Sequence, residues 1–383
     1  MVEVQGHVAE GFGAVGDAFR ANFEQNELGA AFSLYAGGEK MADLWAGIAD
    51  AETDTPWTDE TLALVFSTTK GATAICVAML AEAGKLDYDE PVATYWPEFA
   101  AEGKDAITVG HVMSHQAGLI YAEPQLTLDQ VLAVDPVVDT LAAQAPLWEP
   151  GTAHGYHALT YGWLAGELVR RVDGRRLGRF FADEVAEPLG LDFWIGLPDS
   201  EEHRVARLRA APPPEGEELA LMMKIAGPGT NGGRALTMDG ALAIATAEMP
   251  FNTRAVHATE MPAANGITNA RSVARMYAAT VSEVDGVRLI DDETVDVVRA
   301  ERVHGDDLSL VLPTRFGYGF MLRAEYLPLL ADGSFGHYGA GGSLGFADPE
   351  SGVGFGYVMN QMGGGIAGDP RAVALIDAVR SCL

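Results

Sequence analysis

The sequence predicts an α/β (α+β) protein in which both ends of the chain build one antiparallel sheet flanked by helices. A mainly helical region is inserted between the two parts. Strand-like runs bounded by turn residues concentrate near both termini, whereas helical spacing and loops fill residues 85–280. The chain of 383 residues, 48% of them hydrophobic, is long enough to bury a large core.

The first predicted elements are a helix and a hairpin. Apolar side chains recur every three or four residues along one helical face, at Val8, Phe12, Val15, Phe19 and Phe23. Residues 31–35 and 41–45 read as two strands, and the glycine-rich residues 37–39 between them favour a tight turn.

The middle of the chain favours helices separated by long loops. Residues 71–83 are nearly all small or apolar, which predicts a helix buried between layers. Two further helices are predicted at 161–172 and 272–281. Proline and glycine interrupt the pattern at 210–216 and 226–229, where loops are expected.

Strand signals return after residue 315. Strands are predicted at 316–323, 342–347 and 353–359, with a turn at 348–352 and a closing helix at 370–380. We therefore expect residues 1–66 and 281–383 to form the region with the antiparallel sheet. Residues 67–280 are the inserted, mainly helical region, and the active site is expected in the cleft between the two.

Composition excludes several classes of function. Twenty-five Lys and Arg against 54 Asp and Glu give a net charge of −29, which disfavours binding to nucleic acid or to an anionic membrane. Two cysteines, Cys76 and Cys382, are too few for a disulfide scaffold or a Cys-rich metal site. Residues 1–7 lack the basic start and apolar run of a signal peptide, and no apolar run reaches the ~18 residues of a membrane span. A soluble, cytoplasmic protein is expected.

The residues that carry chemistry begin with an S-x-x-K motif formed by Ser67 and Lys70, at the predicted start of the buried helix. This spacing puts the Ser67 hydroxyl and the Lys70 amine on one helical face. The amino end of a helix favours developing negative charge, and a lysine in a dry pocket can accept a proton from serine. The motif therefore predicts a nucleophilic serine.

Residues 66–71 resemble the nucleophile motif of the serine β-lactamases and penicillin-binding proteins, in which two further motifs follow in a set order. Tyr156 stands at the tyrosine of the Tyr-x-Asn element, with Ala158 in place of the asparagine. His337 stands at the lysine of the Lys-Thr-Gly element. Smaller similarities at 107–119 and 148–151 extend the resemblance to nearly the whole chain.

The resemblance implies a β-lactamase/transpeptidase-like fold and a catalytic group formed by Ser67, Lys70, Tyr156 and His337. The backbone N–H groups of Ser67 and Ala340 would form the oxyanion hole. Because Ala158 and His337 replace residues of the true lactamases, the sequence resembles the family VIII carboxylesterases more. A carboxylesterase acting on small esters without a cofactor or a metal is therefore expected.

Several alternatives stay open. A β-lactamase, a D-aminopeptidase or other amide hydrolase, and an acyltransferase share this pattern, and a non-catalytic binding protein is a minor alternative. A second copy of the chain is a further candidate partner. The G-x-S-x-G run around Ser343 fails as a nucleophile elbow, since a strand and a turn follow it and His337 is the last histidine. His111 and His115 lack the glutamate of a zinc H-E-x-x-H motif, so capping or packing is expected for them.

Overall fold

The computed structural model describes residues 2–243, 249–365 and 367–383. Within these residues, ten strands form an antiparallel sheet in the order β1-β3-β2-β13-β12-β11-β10-β9-β8, with β4 paired to β3. A separate sheet has the order β5-β7-β6. The strands are β1 (Gln5–Val8), β2 (Gly29–Ala36), β3 (Glu39–Asp50), β4 (Thr55–Pro56), β5 (Ala63–Leu64), β6 (Phe193–Ile195), β7 (Gly266–Thr268), β8 (Val303–Asp306), β9 (Pro313–Phe316), β10 (Met321–Leu322), β11 (Phe335–Tyr338), β12 (Leu344–Asp348) and β13 (Val353–Met359).

Most of the helices lie between the two sheet-forming ends of the chain. They are α1 (Gly13–Asn22), α2 (Thr69–Glu82), α3 (Val92–Tyr95), α4 (Val109–Met113), α5 (Leu128–Leu132), α6 (Asp135–Ala143), α7 (Thr160–Asp173), α8 (Leu177–Phe181), α9 (Glu187–Leu189), α10 (Gly216–Ala226), α11 (Asn231–Thr237), α12 (Arg254–Ala258), α13 (Ala270–Val281), α14 (Asp292–Arg299) and α15 (Pro370–Cys382). Short 3-10 segments lie at Pro97–Gly103, Asp199–Arg204 and Pro250–Asn252, and a π-helical turn lies at Ala182–Ala186. In the described part of the chain, no helix combines the length and the apolar character needed to cross a membrane.

The predicted closure of one sheet by both chain ends is confirmed. Strand β2 pairs antiparallel with β13, from Val353 opposite Ala36 to Met359 opposite Ala30. Helix α13 packs on this junction. A Cβ at Gly354 would lie 2.3 Å from the carbonyl oxygen of Ala274, and one at Gly356 would lie 2.3 Å from that of Ala270. Glycine in β13 therefore lets the helix backbone approach the sheet closely.

Helix α2 is the buried helix that the apolar run predicts. Eleven of its residues, including Lys70, are buried. The helix packs against α7 on one side. On another, Gly71 leaves room for the hydroxyl of Tyr277 from α13, which would lie 1.9 Å from an added Cβ. Burial on all faces explains why the run lacks a polar stripe.

Two predicted boundaries are wrong for reasons of tertiary structure. Val8 does not begin the first helix but ends β1, where it pairs with Ala42 of β3, and α1 starts at Gly13. The strand predicted at 316–323 is divided into β9 and β10. Between them Gly319 adopts a φ of +81° and donates its backbone N–H to the carbonyl of Met113, so the chain leaves the ladder.

The small sheet of β5, β6 and β7 was not predicted. Its strands are two or three residues long and come from distant parts of the chain, so they carry no local alternation. Strand β5 leads directly into the turn that carries Ser67, and β7 holds it through pairing of Leu64 with Ile267. The missed sheet is thus the scaffold beneath the S-x-x-K motif.

Candidate active site

Ser67 lies in a strained turn between β5 and α2. Phe66 has a φ of +43°, a conformation that a bulky residue adopts only when the surroundings impose it. The hydroxyl of Thr69 donates to the carbonyl of Phe66 over 2.5 Å and accepts from the backbone N–H of Gly266 over 2.8 Å. Ser67 is partly exposed while its neighbours on both sides are buried. The turn therefore presents the serine at the edge of a packed core.

Lys70 is fully buried, and its amine contacts only neutral groups in the described structure. Nζ lies 3.2 Å from the Ser67 hydroxyl, 2.6 Å from the carbonyl oxygen of Ala158 and 3.0 Å from that of Ala263. Burial lowers the pKa of Lys70 well below its usual value. Lys70 is thus suited to stay neutral and to take up a proton.

Tyr156 lies beside this amine, in the loop before α7. Nζ of Lys70 is 4.7 Å from the centroid of the Tyr156 ring. The phenol is buried and makes no hydrogen bond of good geometry with a described residue, while the nearby Ser67 side chain favours its ionisation. Burial outweighs that interaction and raises the pKa of Tyr156 above its usual value. The neutral phenol is therefore the stable form.

His337 lies on β11, with its ring centroid 6.0 Å from that of Tyr156. Nδ1 donates to the carbonyl of Tyr338 over 2.6 Å, because a carbonyl can only accept. Burial lowers the pKa of His337 well below its usual value. Nε2 is then an acceptor, and it has no partner in the described part of the chain.

The turn after β11 brings Ala340 next to the Ser67 turn. Ser343 donates its hydroxyl to the carbonyl of Val65 over 2.8 Å and lies 3.1 Å from the hydroxyl of Thr68. The backbone N–H groups of Ser67 and Ala340 make no hydrogen bond with any described residue. An oxyanion hole needs free donors that converge on one oxygen, and these two turns each hold a free N–H group.

An apolar cavity of about 240 Å³ lies beneath α10 and in front of β9 and β10. Its walls include Leu221, Ile225, Leu310 and Met321. Ile225, Leu310 and Met321 belong to the same apolar cluster as Tyr156. Met321 also pairs with Gly336, the residue before His337. The cavity is therefore bordered by β10, the strand that pairs with the strand of His337.

The rejected motifs have structural roles. Strand β12 begins directly after Ser343, so no nucleophile elbow exists there. His111 accepts the backbone N–H of Thr108 at Nδ1 and completes a capping box at the start of α4. His115 is fully buried and its Nδ1 accepts the backbone N–H of His157. Among the described residues, no group of three or more His, Cys, Asp or Glu could hold a metal ion.

One buried carboxylate at this site was missed from the sequence. Asp307 follows β8 and accepts the backbone N–H of Tyr156 at both oxygens, over 3.0 and 3.1 Å. The run Asp307-Leu308-Ser309 does carry the local signal of an Asx turn, and the backbone N–H of Ser309 donates to Asp307 over 2.8 Å. No local signal connects it to Tyr156, which is 151 residues away.

Comparisons with known proteins agree on one family. The sequence profile of the family described as Beta-lactamase matches residues 8–378. The esterase/beta-lactamase LipL of Mycobacterium tuberculosis is 38% identical over 365 residues, which cover 92% of this chain and 81% of that protein.

Two solved structures resemble the chain over almost its whole length. A crystal structure described as a family VIII carboxylesterase is 41% identical, with a TM-score of 0.89, and the match covers 100% of both chains. EstA from Arthrobacter nitroguajacolicus Rue61a is 35% identical, with a TM-score of 0.87, over 99% of this chain and 98% of that one.

Proposed function

Because the chain belongs to the beta-lactamase family, we propose that it is a serine hydrolase that cleaves small carboxylic esters through an acyl-enzyme on Ser67. The observation that carries the proposal is the buried amine of Lys70, 3.2 Å from the Ser67 hydroxyl, in a site where burial lowers its pKa. The names of its relatives, an esterase/beta-lactamase and a family VIII carboxylesterase, support ester substrates.

Acylation would begin with transfer of the Ser67 proton to Lys70. In the neutral amine, the two N–H bonds serve the carbonyls of Ala158 and Ala263, which leaves the lone pair for the serine hydroxyl. As the Oγ–C bond forms on the ester carbonyl, its proton moves to Nζ. The carbonyl oxygen becomes an oxyanion, for which the free N–H groups of Ser67 and Ala340 are suitable donors.

Tyr156 is then proposed to deliver a proton to the departing alkoxide and to recover it from Lys70. Its phenol is neutral and lies next to the amine, so it can act as an acid between the two. His337 is proposed to accept a hydrogen bond at Nε2 from Tyr156 or from the substrate. Water would release the acyl group by the reverse transfers.

Esters are favoured over lactams by two replacements. Ala158 offers no side-chain amide to hold a lactam, and its carbonyl is already bound to Lys70. His337 is neutral, so it offers no cation to a lactam carboxylate. An ester also has the better leaving group. β-Lactam and D-amino acid amide hydrolysis and acyl transfer are the other reactions that this arrangement could support.

A small-molecule ester is the partner that we propose, with a cytoplasmic location as the sequence predicts. The acidic balance of charge argues against nucleic acid as a partner.

The test is a panel of p-nitrophenyl esters from acetate to octanoate, with nitrocefin alongside, on wild type and Ser67→Ala. Ester turnover that is lost in Ser67→Ala is the expected result. The matched control is Ser334→Ala, which removes a buried hydroxyl that donates to Asp348. Ser334 lies directly before β11, at the opposite end of that strand from Ala340. Nitrocefin turnover well above that of every ester would contradict the ester assignment, and full activity in Ser67→Ala would contradict the nucleophile.

A further inference from the structure

Asp307 is a buried carboxylate without a cation. It is 2% exposed, and no lysine, arginine or histidine of the described structure forms an ion pair with it. Four neutral groups donate to it: the backbone N–H groups of Tyr156, Ser309 and Leu310 and the hydroxyl of Thr314, over 2.8–3.1 Å. A buried charge is costly unless such donors satisfy it, and here they are drawn from two distant segments.

The segment before α7 is tied to residues 307–314 at three points. The backbone N–H of Leu308 donates to the carbonyl of His154 over 3.0 Å, and the N–H of Tyr156 donates to Asp307. His154 lies 2.9 Å from the hydroxyl of Thr314, and because that hydroxyl donates to Asp307, His154 is the donor. These contacts fix the main chain on both sides of Gly155. They therefore fix the position from which the Tyr156 side chain extends.

The charge of Asp307 also distinguishes it from its surroundings. The titratable groups that face Tyr156 are Lys70 of α2, His115 after α4, Tyr161 of α7, His337 of β11 and Asp307 after β8. Burial lowers the pKa of the lysine and of both histidines and raises that of Tyr161, so burial favours the neutral form of all four. Asp307 therefore adds one negative charge, which opposes ionisation of the phenol and raises its pKa further.

We propose that Asp307 is a positioning residue of the ester hydrolysis proposed above: it clamps the main chain at Tyr156 and so holds the phenol where it can donate a proton, with Lys70 as the base. The proton balance is that of the proposed mechanism. Ser67 gives its proton to Lys70, Tyr156 gives its own to the alkoxide, and the ammonium of Lys70 restores that of Tyr156. Asp307 exchanges no proton at any step.

The experiment compares Asp307→Ala, Asp307→Asn and a control, Asp348→Ala. Asp348 is a second buried carboxylate, 1% exposed, which accepts hydrogen bonds from Ser334 and Ser351. It ends β12, whereas Ser343 lies directly before the start of that strand. Asparagine at 307 can keep its oxygen for the three backbone N–H groups and donate its amide to Thr314. It therefore preserves the clamp while it removes the charge.

For Asp307→Ala we expect kcat on p-nitrophenyl esters to fall about a hundredfold while KM changes less than about threefold, as for loss of one proton-transfer group. Asp307→Asn should recover at least half of that loss on a logarithmic scale. Asp348→Ala should lower the melting temperature and leave kcat of the folded enzyme unchanged. Wild-type kcat in a folded Asp307→Ala, or equal losses of kcat in Asp307→Ala and Asp348→Ala, would overturn the proposal.

A second measurement separates failure of this inference from failure of the proposed function. The rate at which a fluorophosphonate ester labels Ser67 depends on the nucleophile, on its base and on the group that protonates the departing fluoride, not on any carboxylic ester substrate. Wild type that labels Ser67 but cleaves no ester would contradict the proposed function alone. In that case, slower labelling of Asp307→Ala than of Asp348→Ala would still support the role of Asp307, and equal rates would overturn it.

Discussion

Ser343 donates its hydroxyl to the carbonyl of Val65 over 2.8 Å and thereby joins the turn between β11 and β12 to the turn that carries Ser67. The serine of a G-x-S-x-G run, which resembles a nucleophile by its sequence, is instead a structural contact of the proposed oxyanion hole. Its hydroxyl also lies 3.1 Å from that of Thr68. The distance between the free N–H groups of Ser67 and Ala340 depends on this hydrogen bond.

Gly339→Ala should separate the two turns. A Cβ at this residue would lie 2.2 Å from the carbonyl oxygen of Val65 and 2.1 Å from the hydroxyl of Ser343, so one of the turns must shift. Loss of an oxyanion donor costs about 10²- to 10³-fold in kcat, and we expect a fall of that order in ester hydrolysis. Gly13→Ala is the control, because nothing lies within 4 Å of an added Cβ there. Unchanged kcat in Gly339→Ala would argue against Ala340 as a donor.

Lys70→Met should abolish the base without removing the buried aliphatic chain. We expect kcat to fall about a thousandfold, since a positioned base contributes about 10²- to 10⁴-fold. Lys104→Met is the matched control: Lys104 is also fully buried, and its amine also donates to backbone carbonyls, those of Ala101 and Gln144. It should lose stability but retain its turnover when folded. Comparable turnover in the two folded variants would show that Lys70 is not the base.

The parts of the site that could be predicted are those with local chemistry. Ser67 and Lys70 are three residues apart, and the apolar run after them predicts the burial that lowers the pKa of the lysine. Tyr156 and His337 can be singled out only because they stand in motifs that resemble those of a known family. The structure brings both side chains together with Lys70. Their catalytic roles stay predictions that the variants above would test.

The missing parts depend on contacts between distant segments. Asp307 accepts the backbone N–H of Tyr156, which is 151 residues away, and its own sequence indicates only a turn. Phe66 adopts a positive φ because Thr69 and Gly266 hold the turn, which no property of phenylalanine predicts. Likewise, Val8 belongs to β1 because β3 is available to pair with it, although its spacing fits the helix that follows.

Acid should destabilise the protein through its buried histidines. His115, His157 and His337 are fully buried, and burial lowers the pKa of each, that of His157 to about 3. An unfolded histidine binds its proton near pH 6.5, whereas these do not until much lower pH, so unfolding takes up protons below pH 6.5. Their contribution to stability is complete above pH 6.5 and is lost as the pH falls, by about 1.4 kcal/mol per pH unit for each histidine.

The measurement is the free energy of unfolding in urea at pH 7, 6 and 5. His157→Gln should show a shallower loss than wild type below pH 6.5, because one titrating group is gone. His7→Gln, at an exposed histidine, should follow the wild-type slope. Identical slopes in wild type and His157→Gln would contradict the assignment of His157 as a buried neutral imidazole.

Leu221→Trp should shift the preference of the enzyme toward short acyl chains. Leu221 lines the 240 Å³ cavity beneath α10, whereas Leu219 on the same helix does not, and both are 44% exposed. An indole at 221 would occupy space that an apolar chain needs, so the ratio of kcat/KM for octanoate to that for acetate should fall about tenfold, or about 1.4 kcal/mol. Leu219→Trp adds the same surface outside the cavity and should leave the ratio unchanged. Equal ratios in the two variants would mean that the acyl chain binds elsewhere.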